Sequence, residues 1–357
     1  MDWRSGGATM GEPEVYIVIV NWNGWKDTIE CLESVQRLEY AAYTTVVVDN
    51  GSTDDSLSYI KDWAEGLLPI DSQLVEYDAS SKPVCWVEYE RGEAEVGGCK
   101  DKEAWVHGST GAFRLVLIRS NTNLGYAGGN NVGIRYALSA GSVDYVWLLN
   151  NDTVVAPNAL RSLVTRMLEN PRCGMCGSTL VYYDYPELIQ ARGGAVYSKW
   201  TSNHRHIGEF DEVKSECCVS DVEKLMDYVV GASLFVSRQF LEDVGLMSED
   251  YFLYFEELDW ATRAGHKWAM CYAPGSIVYH KEGATIGAGA LRKERSALAD
   301  YFNLRNRLVF TRKYYPYALP FVCLTVAGKA LARMREGRWS DMRKLTGMIR
   351  KGFVARH

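Results

Sequence analysis

The chain has 357 residues, 47% of them apolar and 24% charged, which is the balance of an ordinary soluble globular protein with one large domain or two. Its formal net charge of -6 argues against nonspecific nucleic-acid binding by the body of the protein, so no nucleic-acid partner is expected. The charge is uneven, because residues 329–357 carry nine Lys or Arg and two acids.

The ends of the sequence show neither a secretion signal nor a membrane span. Residues 1–11 lack a long apolar core. The apolar run from Tyr317 to Ala327 contains Pro320 and is too short to cross a hydrocarbon core of about 30 Å. We therefore expect a cytoplasmic location, with contact at the inner face of the plasma membrane as an open alternative.

Nine cysteines are scattered through the chain. Cys173, Cys176 and the adjacent Cys217 and Cys218 could supply four thiolates to zinc. The second pair lacks the usual two-residue spacer, so buried free thiols of a cytosolic enzyme are the favoured interpretation.

The first elements in chain order alternate between strand and helix. Residues 15–20 are an apolar, β-branched run and predict a buried strand, and 44–48 predict a second one. Residues 26–38 and 55–64 predict the helices that follow them. This alternation predicts an α/β fold with a doubly wound, mostly parallel sheet and flanking helices.

The alternation stops at residues 67–111, an acidic and aromatic stretch that predicts an inserted substructure. Within it, residues 84–90 alternate like a hairpin strand. Beyond it the strand and helix pattern resumes. Strands are predicted at 114–118, 144–149, 174–182, 228–237, 269–273 and 276–280. Helices are predicted at 156–169 and 240–244, and two more are predicted to end near residues 140 and 265.

Polar side chains follow the predicted strands, and the ends of parallel strands meet at one edge of a sheet. They therefore predict one pocket whose amides and carboxylates suit a nucleotide. Gly125, Gly128 and Gly129 would let the backbone approach the ligand, although they match neither a dinucleotide nor a phosphate-loop motif. The polar residues of this predicted pocket are Asn21, Asn23, Asp49, Asn50, Ser52, Asn123, Asn130, Asn131, Asn150, Asn151 and Asp152.

Two further groups suggest chemistry. Asp152 and His280 have the side chains that bind Mn²⁺ and related ions, although a turn carboxylate and a packed histidine are the alternative interpretation. Glu256, Glu257 and Asp259 open a predicted helix, where acids also interact favourably with the helix dipole. The aromatic residues before them could raise a carboxyl pKa and produce a general base.

The sequence resembles family 2 glycosyltransferases of the GT-A fold, in their rhamnosyltransferase-like branch, over residues 14–315. The motifs that carry the resemblance occur in the family's order: VIVNWNG, VVVDNGSTD, NTNLGYAGGNN, WLLNNDT, GASLFVSR, YFLYFEELD, VYHKEGAT and YFNLRNRLVFTRKYYP. The resemblance implies a catalytic domain at 14–290, containing the insertion at 67–111, and a helical, basic C-terminal region at 291–357.

The resemblance also implies residue roles on the donor side. Asp49 should contact the nucleobase with Asn21 and Asn50 nearby, and residues 123–131 should border the donor. Asn150-Asn151-Asp152 stands in place of the family's Asp-x-Asp metal motif. That leaves Asp152 as the expected ligand of Mn²⁺ or Mg²⁺, with His280 as the second.

On the acceptor side, Glu257 falls on the family's base position, where a glutamate reaches one methylene further than the usual aspartate. Asp259 should help to place the acceptor or the base. Arg305 and Arg307 could approach the diphosphate or order the C-terminal region, and both alternatives stay open.

The implied activity is inverting transfer of a sugar from a nucleotide diphosphate donor to a hydroxyl, for cell-surface polysaccharide synthesis. Rhamnose from dTDP is the leading donor, ahead of UDP-linked sugars, and a glycan or polyprenyl-linked glycan is the acceptor. A sugar nucleotidyltransferase and a non-catalytic nucleotide-sugar-binding module are the alternatives. The C-terminal region could lie on a membrane or dock on the catalytic domain, and a homo-oligomer is possible.

Overall fold

The computed structural model describes residues 11–102, 104, 113–141, 143–281 and 297–335. Its strands, in chain order, are β1 (Val15–Asn21), β2 (Tyr43–Asn50), β3 (Cys85–Glu90), β4 (Arg114–Ser120), β5 (Tyr145–Asn150), β6 (Thr153–Val155), β7 (Cys173–Tyr182), β8 (Tyr185–Arg192), β9 (Gly194–Ser198), β10 (Asn203–His206), β11 (Tyr228–Val229), β12 (Ser233–Ser237) and β13 (Ala269–His280).

The helices flank these strands or follow them. In chain order they are α1 (Trp25–Val35), α2 (Ser56–Ala64), α3 (Arg91–Ala94), α4 (Gly125–Ala140), α5 (Ala159–Glu169), α6 (Val219–Leu225), α7 (Arg238–Val244), α8 (Glu256–Ala264), α9 (Ala297–Tyr314) and α10 (Leu319–Arg335).

Ten strands form one mixed, mostly parallel sheet in the order β3-β4-β2-β1-β5-β12-β7-β13-β6, with β8 paired to β7. Strands β3, β4, β2, β1 and β5 are parallel, and β12 is antiparallel to both of its neighbours. Strands β9, β10 and β11 form a small antiparallel sheet beside it. The predicted doubly wound, mostly parallel sheet is confirmed.

The central strands are buried on both faces, which explains their continuous apolar runs. Ile17 and Ile19 of β1 pack into the core under α1, α2 and α5, whereas Tyr16 and Val18 pack under α4, α7 and α8. Successive strand residues point to opposite faces, so one apolar strand supplies both core layers. This arrangement leaves the carboxyl ends of the strands as the open edge of the sheet.

Three details differ from the sequence-based expectation. Residues 85–90 form no hairpin: β3 is a parallel edge strand of the main sheet, and its alternation reflects one exposed face. The run 228–237 is two strands in different sheets, because the chain turns at Gly231 and Ala232 between β11 and β12. Conversely, 269–280 is one strand with a register shift between Ala273 and Ile277.

The predicted C-terminal helices are present as α9 and α10, which pack against each other through Leu304, Leu308, Val322 and Val326. Among the described residues, no helix has the length and apolar character needed to cross a membrane. The expectations for residues 282–296 and 336–357, and for most of 103–112, lie outside the described residues.

Candidate functional site

A cleft of about 430 Å³ opens at the carboxyl ends of β1, β2 and β5. Asn150, Asn151 and Asp152 form its floor, and the start of α4 and the loop before α8 form two of its walls. The structure thus brings several of the predicted residues into one cavity. Those that line it are Asn50, Asn123, Gly125, Asn130, Asn150, Asn151, Asp152, Glu256, Glu257 and His280.

Asn50 joins the end of β2 to the loop after β4. Its Nδ2 donates to Gly125 O at 3.1 Å and to Asn123 Oδ1 at 3.2 Å, and Leu124 N donates to its Oδ1 at 3.0 Å. The amide therefore fixes the loop that leads into α4. Asn130 lies one turn into that helix, where its Nδ2 donates to Tyr126 O at 3.0 Å.

Four residues predicted to contact the donor sugar nucleotide do not line the cleft but form a hydrogen-bonded network with one another. Asn21 Nδ2 donates to Asp49 Oδ1 at 2.9 Å and to Ser52 Oγ at 3.0 Å. Asn23 N also donates to Ser52 Oγ, at 3.0 Å. Asn21 and Asp49 are buried, so this network joins the carboxyl ends of β1 and β2 beneath the surface.

Gly128 is likewise not part of the cleft wall. It lies inside α4, where an added Cβ would be 2.6 Å from the Leu124 Cβ. Its lack of a side chain therefore serves packing within the helix.

Asp152 and His280 lie side by side, with Asp152 Oδ1 3.3 Å from His280 Nε2. They meet because β6 and β13 pair with Thr153 opposite His280, and Lys281 N donates to Asp152 O at 3.0 Å. The other ring nitrogen, Nδ1, is 2.8 Å from Gln190 Oε1. A hydrogen bond there fixes the ring and aims Nε2 at the carboxylate.

The Asp152 and His280 donor set, one carboxylate and one imidazole, fits a divalent ion such as Mn²⁺. Among the described residues no cluster of three or more His, Cys, Asp or Glu could hold a metal ion. A metal bound by these two side chains would therefore take its remaining ligands from the donor phosphates and water.

Glu257 projects into the cleft from the first turn of α8. Burial raises its pKa to about 7. In its present position the carboxylate occupies the space that a side chain at position 231 would need: a Cβ on Gly231 would lie 1.9 Å from Glu257 Oε1. Glu256 is buried beside it, and burial, followed by the charge of Glu257, holds the pKa of Glu256 well above its usual value.

The loop that leads into α8 has an unusual backbone. Phe252, Tyr254 and Phe255 have φ values of 66°, 68° and 79°, a region that side chains other than glycine rarely adopt. The amide of Asn306 in α9 stabilises this backbone, because its two N–H groups are shared among three carbonyls within hydrogen-bond distance of Nδ2. These are the carbonyls of Tyr251 (2.9 Å), Leu253 (2.8 Å) and Tyr254 (3.0 Å). Strain of this kind clusters at functional sites.

A backbone hydrogen bond joins the same loop to the start of α4. Tyr126 N donates to Phe252 O at 2.7 Å, and a Cβ on Gly125 would meet that same carbonyl oxygen at 2.3 Å. Gly125 has a φ of 74°, so it supplies both the turn and the close approach. Tyr126 OH in turn donates to Gly231 O at 2.7 Å, which connects α4 to the glycine beside Glu257.

Asp259 does not line the cleft. Two residues apart on a helix, Asp259 and Glu257 point in different directions. Asp259 is fully buried, and its carboxylate accepts from Arg263 Nε at 2.8 Å and from Lys313 Nζ at 2.7 Å. Burial alone would raise its pKa, but these bonds, with one from Tyr314 OH, lower it below the usual value. The structure therefore gives Asp259 a role in fixing α8 against α9.

The two arginines of the YFNLRNRLVF motif form hydrogen bonds between α9 and neighbouring loops. Arg307 is buried and donates to Asn303 Oδ1, Asn203 Oδ1 and Ser202 O. Arg305 donates to Asp250 O at 2.9 Å. Of the two alternatives, ordering of the C-terminal region is the one that these contacts support.

One wall of the cleft was not anticipated from the sequence. Strand β10 and the chain after it contribute His204, Arg205, His206 and Glu209, and β8 contributes Gln190. Burial lowers the pKa of His206 below its usual value. Strand β10 has four polar residues and no apolar alternation. A cluster of basic side chains in Asn203–His206 was the one signal available.

The comparisons with known proteins agree with this geometry. The sequence profile described as "Glycosyltransferase like family 2" matches residues 100–311, and the one described as "Glycosyl transferase family 2" matches residues 16–81. The chain belongs to the family 2 glycosyltransferases. The resemblance expected from the motifs is therefore confirmed.

Two curated relatives match this family 2 chain at low identity. The low-salt glycan biosynthesis hexosyltransferase Agl10 of Haloferax volcanii is 29% identical over 150 residues, which is 41% of this chain and 45% of the relative. The N-acetylglucosaminyl-diphospho-decaprenol L-rhamnosyltransferase of Mycobacterium tuberculosis is 27% identical over 188 residues, 48% of this chain and 60% of the relative. The chain thus spans about half the length of the curated relatives it matches.

Among solved structures, GalNAc-T7 with UDP, GalNAc and Mn²⁺ aligns with a TM-score of 0.51 and 14% identity. The alignment covers 83% of this chain and 48% of that one. At this identity the likeness concerns the fold alone. The fold of this chain is the GT-A fold, as the motifs predicted.

Proposed function

We propose that this protein is a metal-dependent, inverting glycosyltransferase that uses Glu257 as its general base. One observation carries the proposal: the cleft that holds the Asp152 and His280 pair also holds the partly buried carboxyl group of Glu257, whose pKa is raised to about 7. A base works best when its pKa lies near the operating pH, so Glu257 is suited to take the proton of an attacking hydroxyl. Direct attack on the anomeric carbon would invert its configuration.

The donor would bind between two pairs of side chains. One pair is Asn50 and Asn123, which are hydrogen-bonded to each other, and the other is Asp152 and His280. Asn130 and Asn151 line the same cavity and offer amide groups to the ribose or the sugar. Asp49, Asn21, Asn23 and Ser52 would support the base-binding wall from behind. A divalent ion, Mn²⁺ or Mg²⁺, bound by Asp152 and His280 would neutralise charge on the departing nucleotide diphosphate.

The leading donor is dTDP-rhamnose, with UDP-linked sugars behind it. The relative from Mycobacterium tuberculosis is named as a rhamnosyltransferase that acts on a diphospho-decaprenol-linked sugar. By this likeness we propose a glycan or polyprenyl-linked glycan acceptor and a place in cell-surface polysaccharide synthesis.

A transfer assay with a panel of nucleotide sugars tests the proposal. The protein would be incubated with dTDP-rhamnose and UDP-sugars, with Mn²⁺, Mg²⁺ or EDTA, and with lipid-linked acceptors. We expect metal-dependent release of nucleotide diphosphate that rises when acceptor is added. Donor binding without release of nucleotide by any panel member would instead support a non-catalytic binding module, and formation of nucleotide sugar from nucleoside triphosphate would support a nucleotidyltransferase.

A further inference from the structure

Helix α10 has apolar side chains on both of its sides. Val322 and Val326 are buried against α9, as the inner face of a surface helix requires. The outer face should be polar, yet Phe321, Leu324 and Leu331 are 54%, 72% and 53% exposed. The helix therefore presents an apolar surface that the fold does not use.

Aromatic side chains extend this surface onto the neighbouring hairpin. Trp200, in the connection between β9 and β10, is 47% exposed, and its ring lies 5.6 Å from that of Tyr317 and 5.5 Å from that of Phe321. Both contacts are edge-to-face. We refer to Trp200, Tyr317, Phe321 and Leu324 together as the α10 patch.

The segment that contains Tyr317, Phe321 and Leu324 carries basic charges only. Residues 312–335 contain five Lys or Arg and no Asp or Glu, although the whole chain has a net charge of -6. Exposed Lys199 adds a further cation, with its Nζ 5.9 Å from the Trp200 ring. Apolar and aromatic side chains bordered by basic ones are the pattern of helices that lie in the interface of an anionic bilayer.

We propose that the α10 patch docks this protein on an anionic lipid bilayer surface. Phe321 and Leu324 would enter the boundary between headgroups and acyl chains. Trp200 and Tyr317 would sit at headgroup level, as such amphipathic rings do. The exposed side chains of Lys199, Arg312 and Arg335 would supply positive charge for the anionic headgroups.

The position of the patch relates it to the cleft. The connection that carries Trp200 leads directly into β10, whose His204 and Arg205 line the cleft. Docking would therefore bring the cleft wall that β10 forms near the bilayer surface. Vesicle binding needs neither donor nor acceptor, so it can fail while the proposed transfer holds, and the reverse.

Sedimentation of the full chain with vesicles tests the proposal. One set of vesicles would be phosphatidylcholine alone, and the other would contain about 30 mol% phosphatidylglycerol. The test variant combines Trp200→Ser, Phe321→Ser and Leu324→Ser. The matched control places the same substitution at three exposed apolar residues elsewhere, Leu67, Val96 and Leu168, which are 75%, 77% and 59% exposed.

We expect the wild-type chain and the control to bind the anionic vesicles, and the test variant to bind at least about tenfold less. Binding should also fall in high salt, because the anionic headgroups attract the basic residues. Equal vesicle binding by the test variant and the control would overturn the proposal. A second result would also overturn it. If neither the wild type nor the test variant binds vesicles, and light scattering shows a wild-type dimer but a monomeric test variant, the patch is a dimer interface. Thermal melting of all three proteins shows whether they are folded.

Discussion

Gly231 and Glu257 are matched in shape: the space that a side chain at position 231 would fill is occupied by the Glu257 carboxylate, with Oε1 1.9 Å from an ideal Cβ. The two residues come from different elements, the turn before β12 and the first turn of α8. The length of the carboxylate side chain and the absence of a side chain opposite it therefore define one position for the proposed base.

Gly231→Ala should displace the Glu257 carboxylate and lower the transfer rate by about 100-fold, since an ångström of misplacement has an effect of this size. The same substitution in a Glu257→Asp background should cost less than about tenfold, because the shorter side chain leaves room for the methyl group. Gly92→Ala, where an added Cβ meets nothing within 4 Å, is the control. Equal losses in both backgrounds would contradict the steric match.

The transfer rate should rise with pH through about 7, because burial raises the pKa of Glu257 to that value and a base must be deprotonated to act. Glu257→Gln should lower the rate by a factor on the order of 10³ and remove this rise, while donor affinity stays unchanged. The measurements are kcat/KM against pH and calorimetric donor titration. If the rate of Glu257→Gln still rises through about pH 7, another group is responsible for the pH dependence.

Asp152→Ala and His280→Ala should each weaken Mn²⁺-dependent binding of the nucleotide diphosphate at least about tenfold, because each removes one of two proposed protein ligands. Titration calorimetry with Mn²⁺ and with EDTA separates the metal-dependent part of the affinity. Exposed Asp71→Asn serves as the control for a lost surface charge. If Mn²⁺ improves affinity equally in the variants and the wild type, these residues are not its ligands.

Asn306→Ala should lower the free energy of unfolding by about 2 to 4 kcal/mol, since three carbonyls lose their donor and part of the loop is buried. Urea denaturation measures the loss. Activity should also fall at temperatures where the variant is still folded, because the loop carries the start of α8. Asn121→Ala, at an exposed amide, should change neither quantity.

Asp259→Asn should act on stability more than on chemistry. Because Lys313 is 40% exposed, we expect a loss of about 2 kcal/mol, less than for a fully buried ion pair. The pKa of Asp259 is lowered in the folded protein, so its stabilising effect is present above the unfolded value of about 4 and is lost as pH falls through the folded value. The difference between variant and wild type should therefore be constant near neutral pH and shrink in acid. A large loss of kcat with unchanged stability would instead support a catalytic role.

The parallel core of the fold could be predicted because its strands are buried on both faces. Residues 15–20 show this as a continuous apolar run and 44–48 as a run of β-branched residues. The polar residues that follow both strands mark the open edge of the sheet. The same rule failed at 228–237, where an apolar run spans two strands of different sheets. At the turn between them, the carboxylate of Glu257 takes the space of a side chain at Gly231, a contact with a residue 26 positions later that no local pattern contains.

The candidate site was predictable only in part. Asp152 and His280 are far apart in the sequence and meet through the pairing of β6 with β13. Their side-chain types suggested a metal pair, but no local spacing connected them, and the resemblance to a family supplied the stronger link. The cleft wall from β10 escaped notice because short polar strands have no apolar alternation. Asp259 was grouped with Glu257 because the two are close in sequence, although helix geometry points them apart.

The contacts of the Asn306 amide determine how much of the C-terminal region the candidate site needs. A chain cut at residue 290 would retain every strand of both sheets, together with Asp152, Glu257 and His280. It would lose the amide that holds the carbonyls of Tyr251, Leu253 and Tyr254, and with it the support for a backbone that is unfavourable on its own. Helix α9 thus belongs to the catalytic machinery as a brace, and transplanting the sheet without it would transfer the site's residues but not their arrangement.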